Sequence, residues 1–165
     1  MVRDDLHLLV VEDDVDMRGL LEEILRPLGT VTSVPDVYQA LNAVQHEPVD
    51  AIVLDLVFPG ASGFDLMERL RTLELPTPVV VVTGLASDAA LRRARALGAH
   101  AFVTKPFDVD LLVRAVADAA ARNAITPSAD ADGEPSPTSD RRQRLPVFAD
   151  RVREIPPAPM VPGRT

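Results

Sequence analysis

The chain has 165 residues, with 17 basic and 25 acidic side chains, a formal charge of −8 and no cysteine. The lack of cysteine excludes disulfides, thiolate metal sites and cysteine nucleophiles. An acidic chain lacks the clustered basic residues that neutralise nucleic-acid phosphates, and no apolar run is long enough to span a membrane. Because the charged N-terminus is unlike a signal peptide, we expect a cytoplasmic protein without direct contacts to nucleic acid or membrane.

Apolar runs alternate with amphipathic stretches through residues 1–125. Five apolar runs predict strands, at Leu6–Val11, Thr30–Val34, Ala51–Leu56, Val79–Val82 and His100–Thr104. Five amphipathic stretches predict helices, at Val15–Leu28, Pro35–His46, Phe64–Leu73, Ser87–Gly98 (from its cap to its stop) and Asp108–Arg122. The alternation predicts an α/β fold, a doubly wound five-stranded parallel sheet with five helices.

The last 40 residues differ in composition from the rest of the chain. Thr126–Thr165 holds 8 of the 15 prolines and as many arginines as acidic residues, so the net negative charge belongs to residues 1–125. Its few large apolar residues do not offset the conformational entropy of ordering it. We therefore expect residues 123–165 to be a disordered, proline-rich tail with no recognisable output domain. Within it, Arg141–Arg153 is either a solvated charge run or a short docking segment.

Polar side chains stand where the predicted strands end. They are Glu12 and Asp13 after the first strand, Asp55 in the third, Thr83 after the fourth and Lys105 after the fifth. Ligands of a doubly wound sheet bind outside the carboxyl ends of its strands. We therefore expect these five groups to converge on one crevice.

Three carboxylates in one crevice call for a cation. Two carboxylates about 4 Å apart repel by roughly 4 kcal/mol at an effective dielectric of 20. A set of oxygen ligands with open positions suits Mg²⁺. Lys105, the only lysine among 17 basic residues, offers a charge to an anion such as a phosphoryl group, and Thr83 offers a hydroxyl. Each residue taken singly also has a structural alternative to a role in a site. Thr83 could simply favour a strand, and Asp55 could form a structural salt bridge to Lys105.

Four segments together resemble one known family. VVEDD, IVLDL followed by Pro-Gly, VVVVTG and AFVTKPF are similar, in order and separation, to the receiver domain of two-component response regulators, the chemotaxis-type receiver, over residues 4–122. The resemblance implies the flavodoxin-like strand order 2-1-3-4-5. It also implies that Asp55 is the phosphoacceptor and that Mg²⁺ is held by Glu12, Asp13, Asp55 and the main-chain carbonyl of Val57, with Lys105 as the counter-ion of the phosphoryl group.

The resemblance further implies a switch and partners. Thr83 and Phe102 would be the switch residues, and the Lys105–Pro106 peptide would be cis. The phosphoryl donor would be a sensor histidine kinase or a phosphotransfer protein. A downstream protein would contact the face formed by the fourth helix, the fifth strand and the fifth helix. Phosphorylation-dependent dimerisation stays open.

Alternatives to a phosphorylated receiver remain. One is a receiver-fold adaptor that acts without phosphorylation. A flavin- or nucleotide-binding protein of the same fold would need a glycine-rich phosphate loop where this chain has VVEDDVDM. Val57 and Leu85, two residues after Asp55 and Thr83, offer no group to orient an attacking water, so we expect slow self-dephosphorylation.

Overall fold

The structure, a computed structural model, describes residues 5–125, and their side chains as far as Asn123. Its strands are β1 (Leu6–Val11), β2 (Gly29–Val34), β3 (Ala51–Leu54), β4 (Val57–Phe58), β5 (Ala61–Ser62), β6 (Val79–Thr83) and β7 (Ala101–Thr104). Its helices are α1 (Val15–Leu25), a 3-10 turn (Arg26–Leu28), α2 (Val37–His46), α3 (Gly63–Thr72), α4 (Asp88–Ala96) and α5 (Val109–Ile125). None of these helices combines the length and apolar character that a membrane crossing requires. Arg141–Arg153, expected to be either a solvated charge run or a short docking segment, lies outside the described residues.

Five of the strands form one parallel sheet, in the order β2-β1-β3-β6-β7. The predicted fold and strand order are confirmed. After β2 the chain crosses β1 to form β3 on its other side, so a crevice opens at the carboxyl ends of β1 and β3. Val11 is in register with Leu54, which places the next residues, Glu12 and Asp55, beside each other at this crevice.

The sheet is buried on both faces because helices cover each side. Alternate residues of the central strands contribute to two apolar clusters, since side chains of a strand point to opposite faces. One cluster lies against α2, α3 and α4 and includes Leu9, Val11, Ile52, Leu54 and Val81. The other lies against α1 and α5 and includes Leu8, Val10, Val53, Val80 and Val82. Each buried Val or Leu side chain stabilises the fold by roughly 1.5–3 kcal/mol. The packed sheet therefore holds the ends of its strands in fixed positions.

Two helices differ from their predicted bounds at prolines. α1 ends at Leu25 and not at Leu28, because Pro27 lacks the N–H that would continue the helix. α2 begins at Val37 and not at Pro35, because Asp36 is the cap: its Oδ1 accepts the N–H of Gln39 at 2.8 Å. At the other end of the domain, α5 continues to Ile125, past the predicted boundary at Arg122.

The segment after β3 contains a hairpin that the sequence pattern did not indicate. The predicted strand Ala51–Leu56 ends at Leu54, and the chain turns at Asp55. β4 and β5 then pair antiparallel across Pro59 and Gly60, where Gly60 has a φ of 71°. Two-residue strands are too short for a period-2 pattern to reveal. The hairpin sets the direction from which α3 returns to the sheet.

Candidate functional site

Asp55 lies at the carboxyl end of β3 and is only 8% exposed. Its Oδ1 accepts the main-chain N–H groups of Leu56 at 2.6 Å and Val57 at 3.2 Å. Its Oδ2 accepts a hydrogen bond from the Lys105 ammonium at 2.9 Å. Hydrogen bonds to both oxygens fix the orientation of the carboxylate.

Glu12 is the second buried carboxylate of the site, with 1% of its surface exposed. The Lys105 ammonium donates to its Oε2 at 2.6 Å, and the N–H of Asp14 donates to its Oε1 at 3.2 Å. Burial, together with the charge of Asp55, raises the pKa of Glu12 although the Lys105 contact opposes the shift. One ammonium is therefore shared by two carboxylates that compete for it.

Lys105 follows β7 and reaches into the crevice from the opposite side. Burial acts to lower its pKa, but the hydrogen bonds to Glu12 and Asp55 and the charges of both carboxylates outweigh it, so the pKa lies above the usual value. The ammonium is thus held in its charged form. The peptide bond from Lys105 to Pro106 is cis.

Asp13 completes a set of three carboxylates. Glu12, Asp13 and Asp55 each offer an oxygen, and these oxygens lie within 4.8 Å of one another. Asp13 is exposed, so one side of the set is open to water. Hard oxygen ligands with an open, hydrated side fit Mg²⁺. Arg18 contacts the main-chain oxygens of Glu12 and Asp13 at 2.9 and 3.5 Å and not their carboxylates, so Lys105 is the cation that faces this set.

The two predicted switch residues lie beside the carboxylates and not among them. Thr83, at the end of β6, is fully buried, and its Oγ1 accepts the N–H of Leu85 at 3.1 Å. Its main-chain oxygen accepts the N–H of Lys105 at 2.9 Å. Phe102 is partly buried and packs against the apolar cluster under α2, α3 and α4.

The carboxylates open into a cleft of about 610 Å³ whose wall is partly apolar. Met17, Leu20, Val57 and Leu85 line it. The sequence pattern placed Met17 and Leu20 on the apolar face of α1 without indicating that they border the site. Both positions also fit a core face, and only the tertiary structure shows that they line the cleft.

Gly63 is a site-supporting residue that sequence reasoning missed. A Cβ at this position would lie 2.2 Å from the main-chain oxygen of Asp55 and 2.9 Å from the Cα of Leu56. The start of α3 therefore packs directly on the backbone that carries Asp55. A glycine after a serine in a loop carries no sequence signal of such a close approach.

Arg93, on the predicted output face, has specific partners. On α4, the Arg93 guanidinium pairs with Glu68 Oε1 at 2.7 Å and lies 4.4 Å from the centroid of the Phe64 ring. Both partners belong to α3, so Arg93 ties α4 to α3. Arg92 and Arg95 are exposed on the same helix.

The doubly wound sheet with an acidic crevice and a lysine at the carboxyl ends of its strands defines a receiver-type signalling domain. Residues 8–117 match the family model of the response regulator receiver domain. The chain belongs to this family, the receiver domains of two-component response regulators. The resemblance inferred from the sequence is confirmed.

Curated relatives and solved structures agree with this assignment. The chain is 41% identical over 110 residues to the transcriptional regulatory protein TcrA of Mycobacterium tuberculosis, covering 65% of this chain and 43% of TcrA. It is 33% identical over 130 residues to the sensory/regulatory protein RpfC of Xanthomonas campestris, covering 74% of this chain and 18% of RpfC. The chain thus spans less than half the length of either relative.

Among solved structures, the receiver domain of the Francisella response regulator 1452 superposes with a TM-score of 0.67 at 26% identity, covering 72% of this chain and 98% of that one. The response regulator DrrB of Thermotoga maritima, described as an OmpR/PhoB homologue, gives a TM-score of 0.64 at 28% identity, covering 72% and 54%.

Proposed function

We propose that this chain accepts a phosphoryl group on Asp55 and signals through the change that follows. The donor is the phosphohistidine of a sensor histidine kinase or a phosphotransfer protein. The observation that supports the proposal is the set of contacts made by the Asp55 carboxylate. Two main-chain amides bind its Oδ1, and the Lys105 ammonium binds its Oδ2. The carboxylates of Glu12 and Asp13 lie next to it.

The chemistry follows from the contacts of Asp55. We assign Oδ2 as the nucleophile, because Oδ1 is committed to the amides of Leu56 and Val57. Oδ2 attacks phosphorus, the P–N bond to the donor histidine breaks as the P–O bond forms, and an acyl phosphate results. Phosphoryl transfer depends mostly on positioning and on neutralising charge, and Lys105 is placed to pair with a phosphoryl oxygen.

A divalent cation would complete the charge balance. The carboxylates of Glu12, Asp13 and Asp55, with the main-chain carbonyl of Val57, would hold Mg²⁺. The fit is supported by three oxygen ligands within 4.8 Å of one another and by the exposure of Asp13. When bound, Mg²⁺ supplies further neutralisation of the phosphoryl oxygens.

The phosphoryl group would then bias a two-state switch. It adds about −1.5 to −2 charges beside β6, as other phosphorylated side chains do. Thr83 would exchange its contact with the Leu85 amide for one with the phosphoryl group, and Phe102 would repack in the space this leaves. The change would reach a downstream protein through the face formed by α4, β7 and α5, and phosphorylation would favour dimers if that face is self-complementary. Residues 4–122 would suffice as the receiver domain, with residues 123–165 as its tail, in the cytoplasm.

Mass spectrometry of the intact protein tests the proposal. With a small phosphodonor such as acetyl phosphate and Mg²⁺, the wild type should gain one phosphoryl group. Asp55→Asn should gain none, and Asp50→Asn, at the amino end of β3, is the matched control that should behave as wild type. A wild type that remains unmodified would support the receiver-fold adaptor that acts without phosphorylation.

A further inference from the structure

The three carboxylates of the proposed cation site differ in how they are held. Glu12 and Asp55 are buried, and hydrogen bonds reach both oxygens of each. Asp13 is exposed, and among the described residues no hydrogen bond or ion pair reaches its carboxylate. The main chain that carries Asp13 therefore decides where this carboxylate lies relative to the other two.

Arg18 binds that main chain. Its Nη1 donates to the main-chain oxygen of Glu12 at 2.9 Å and lies 3.5 Å from the main-chain oxygen of Asp13. In the part of the chain that the structure describes, no main-chain N–H donates to either oxygen. Arg18 is half-buried, and hydrogen bonds from an ionised donor are stronger than those from a neutral one. The guanidinium is therefore the contact that fixes these two oxygens.

The loop of residues 12–14, between β1 and α1, is fixed at two further points. The N–H of Glu12 donates to the main-chain oxygen of Val34 at 3.1 Å, which anchors the start of the loop to β2. The main-chain oxygen of Asp14 accepts the N–H of Arg18 at 2.8 Å, which anchors its end to α1. Asp13 lies between these anchors. The two oxygens that the guanidinium contacts belong to the peptide groups on either side of Asp13, so Arg18 fixes the residue between them.

The charge of Arg18 works against the proposed cation site. A divalent cation among the three carboxylates would be repelled by a guanidinium next to the same loop. The side chain also reaches back over the amino end of α1, where the helix carries a partial positive charge. Among the described residues Arg18 forms no ion pair with Glu12, Asp13 or Asp14. Its contacts go to the main chain, and the Asp13 carboxylate stays available to a cation.

We propose that Arg18 is a positioning residue of the cation site. It holds the peptide groups on both sides of Asp13 and so keeps the Asp13 carboxylate facing those of Glu12 and Asp55. Its effect on cation binding is geometric and opposite in sign to the effect of its charge. The assignment rests on the Mg²⁺ site of the proposed function.

Thermal unfolding of the full chain in increasing MgCl₂, at constant ionic strength, tests this role. A ligand that binds only the folded state raises the unfolding midpoint by mass action, so the titration gives a dissociation constant for Mg²⁺. Its starting point gives the stability without Mg²⁺. Arg18→Met removes the charge and the donors but keeps an unbranched apolar side chain. Arg71→Met is the matched control, because it removes the same charge from an exposed position beside the amino end of β6, at the opposite edge of the sheet.

Arg18→Met should raise the dissociation constant for Mg²⁺ about tenfold, the lower end of the range for residues that orient metal ligands. Loss of the charge alone would lower it instead, and Arg71→Met should leave it unchanged. Arg18→Lys keeps the charge, but its compact ammonium on a shorter side chain does not reach both oxygens, so a smaller increase is expected. A residue that merely stabilised the fold would lower the midpoint at every MgCl₂ concentration without changing the dissociation constant.

The outcomes separate this role from the proposed function. A dissociation constant for Arg18→Met equal to or below that of the wild type would overturn the positioning role and leave the proposed function in place. Should Arg18→Met fail to fold, the same criterion applied to Arg18→Lys decides. A wild type whose midpoint does not respond to MgCl₂ would remove the cation site of the proposed function, and the role of Arg18 with it.

Discussion

The Nζ of Lys105 lies 2.9 Å from Oδ2 of Asp55, although 50 positions separate the two residues in the chain. The same ammonium lies 2.6 Å from Glu12, which is 93 positions away. Three strand ends thus supply one cation and two buried carboxylates to a single point. The shared ammonium pairs with both carboxylates and holds the Asp55 carboxylate in the orientation from which the proposed reaction would start.

Lys105→Arg should slow phosphorylation of Asp55 by about 10- to 100-fold, less than the roughly 100- to 1,000-fold cost of losing a preorganised donor altogether, because arginine keeps the positive charge. The ammonium sits between two carboxylates, and only 19% of the Lys105 side chain is exposed. A planar guanidinium is larger than an ammonium and cannot place its charge at the same position. The measurement is a time course of intact mass with a small phosphodonor and Mg²⁺. Arg92→Lys, at an exposed position of α4, is the control and should leave the rate unchanged. A variant with the wild-type rate would show that only the charge of Lys105 matters.

Glu12→Gln should alter the pH dependence of stability without Mg²⁺. Burial raises the pKa of Glu12 in the folded state above the ordinary 4.5, so the folded state binds this proton more tightly than the unfolded chain does. The Glu12 carboxyl makes its full contribution to the free energy of unfolding below that ordinary pKa, and this contribution is lost as the pH rises through the raised pKa. The variant should therefore gain stability relative to the wild type as the pH rises above about 4.5, and the gain should level off once the pH exceeds the raised pKa of Glu12.

Urea denaturation at a series of pH values measures this difference. Glu23→Gln, at an exposed position of α1, is the control for loss of one acid. A difference between Glu12→Gln and the wild type that stays constant over the pH range would contradict the raised pKa of Glu12.

Val57→Asn should shorten the lifetime of the phosphorylated form. Val57 is 56% exposed and lines the cleft, so asparagine fits there without loss of core packing, and its amide can orient a water toward phosphorus. We expect an increase in hydrolysis of several-fold, measured by loss of the phosphoryl mass after the donor is removed. Val15→Asn, at a 67% exposed position outside the cleft lining, should leave the lifetime unchanged. Equal lifetimes for Val57→Asn and the wild type would rule out this role for the apolar flank.

Gly63→Ala should destabilise the fold and disturb Asp55. The added methyl group would meet the main-chain oxygen of Asp55 at 2.2 Å, which forces backbone movement at a cost of about 1–3 kcal/mol. Gly19→Ala is the matched control: nothing lies within 4 Å of its Cβ, and it sits inside α1, so alanine should stabilise by about 0.5–1 kcal/mol. Urea denaturation measures both. A Gly63→Ala variant as stable as the wild type would show that α3 moves away from Asp55 at little cost.

Much of the fold is local enough to be predicted from the chain. The apolar runs of β1, β3 and β6 are buried on both faces, and such runs indicate central parallel strands. Ser87 caps α4 as the pattern predicts, and Asp14 caps α1. The β4–β5 hairpin and the start of α2 were not predicted, because two-residue strands and a proline before a cap carry weak local signals.

The sequence by itself determined the alternation of strands and helices, because periodicity is local, and the residues that follow each strand. Four short motifs in order indicated the family, and the strand order came from that resemblance. The tertiary structure decided how those residues meet. The register between β1 and β3 places Glu12 beside Asp55. The Lys105 ammonium, after β7, donates hydrogen bonds to both carboxylates. The Thr83 hydroxyl accepts the Leu85 amide and does not contact the carboxylates. These contacts join residues far apart in the chain, and their distances follow from the packing of whole elements and not from any local pattern.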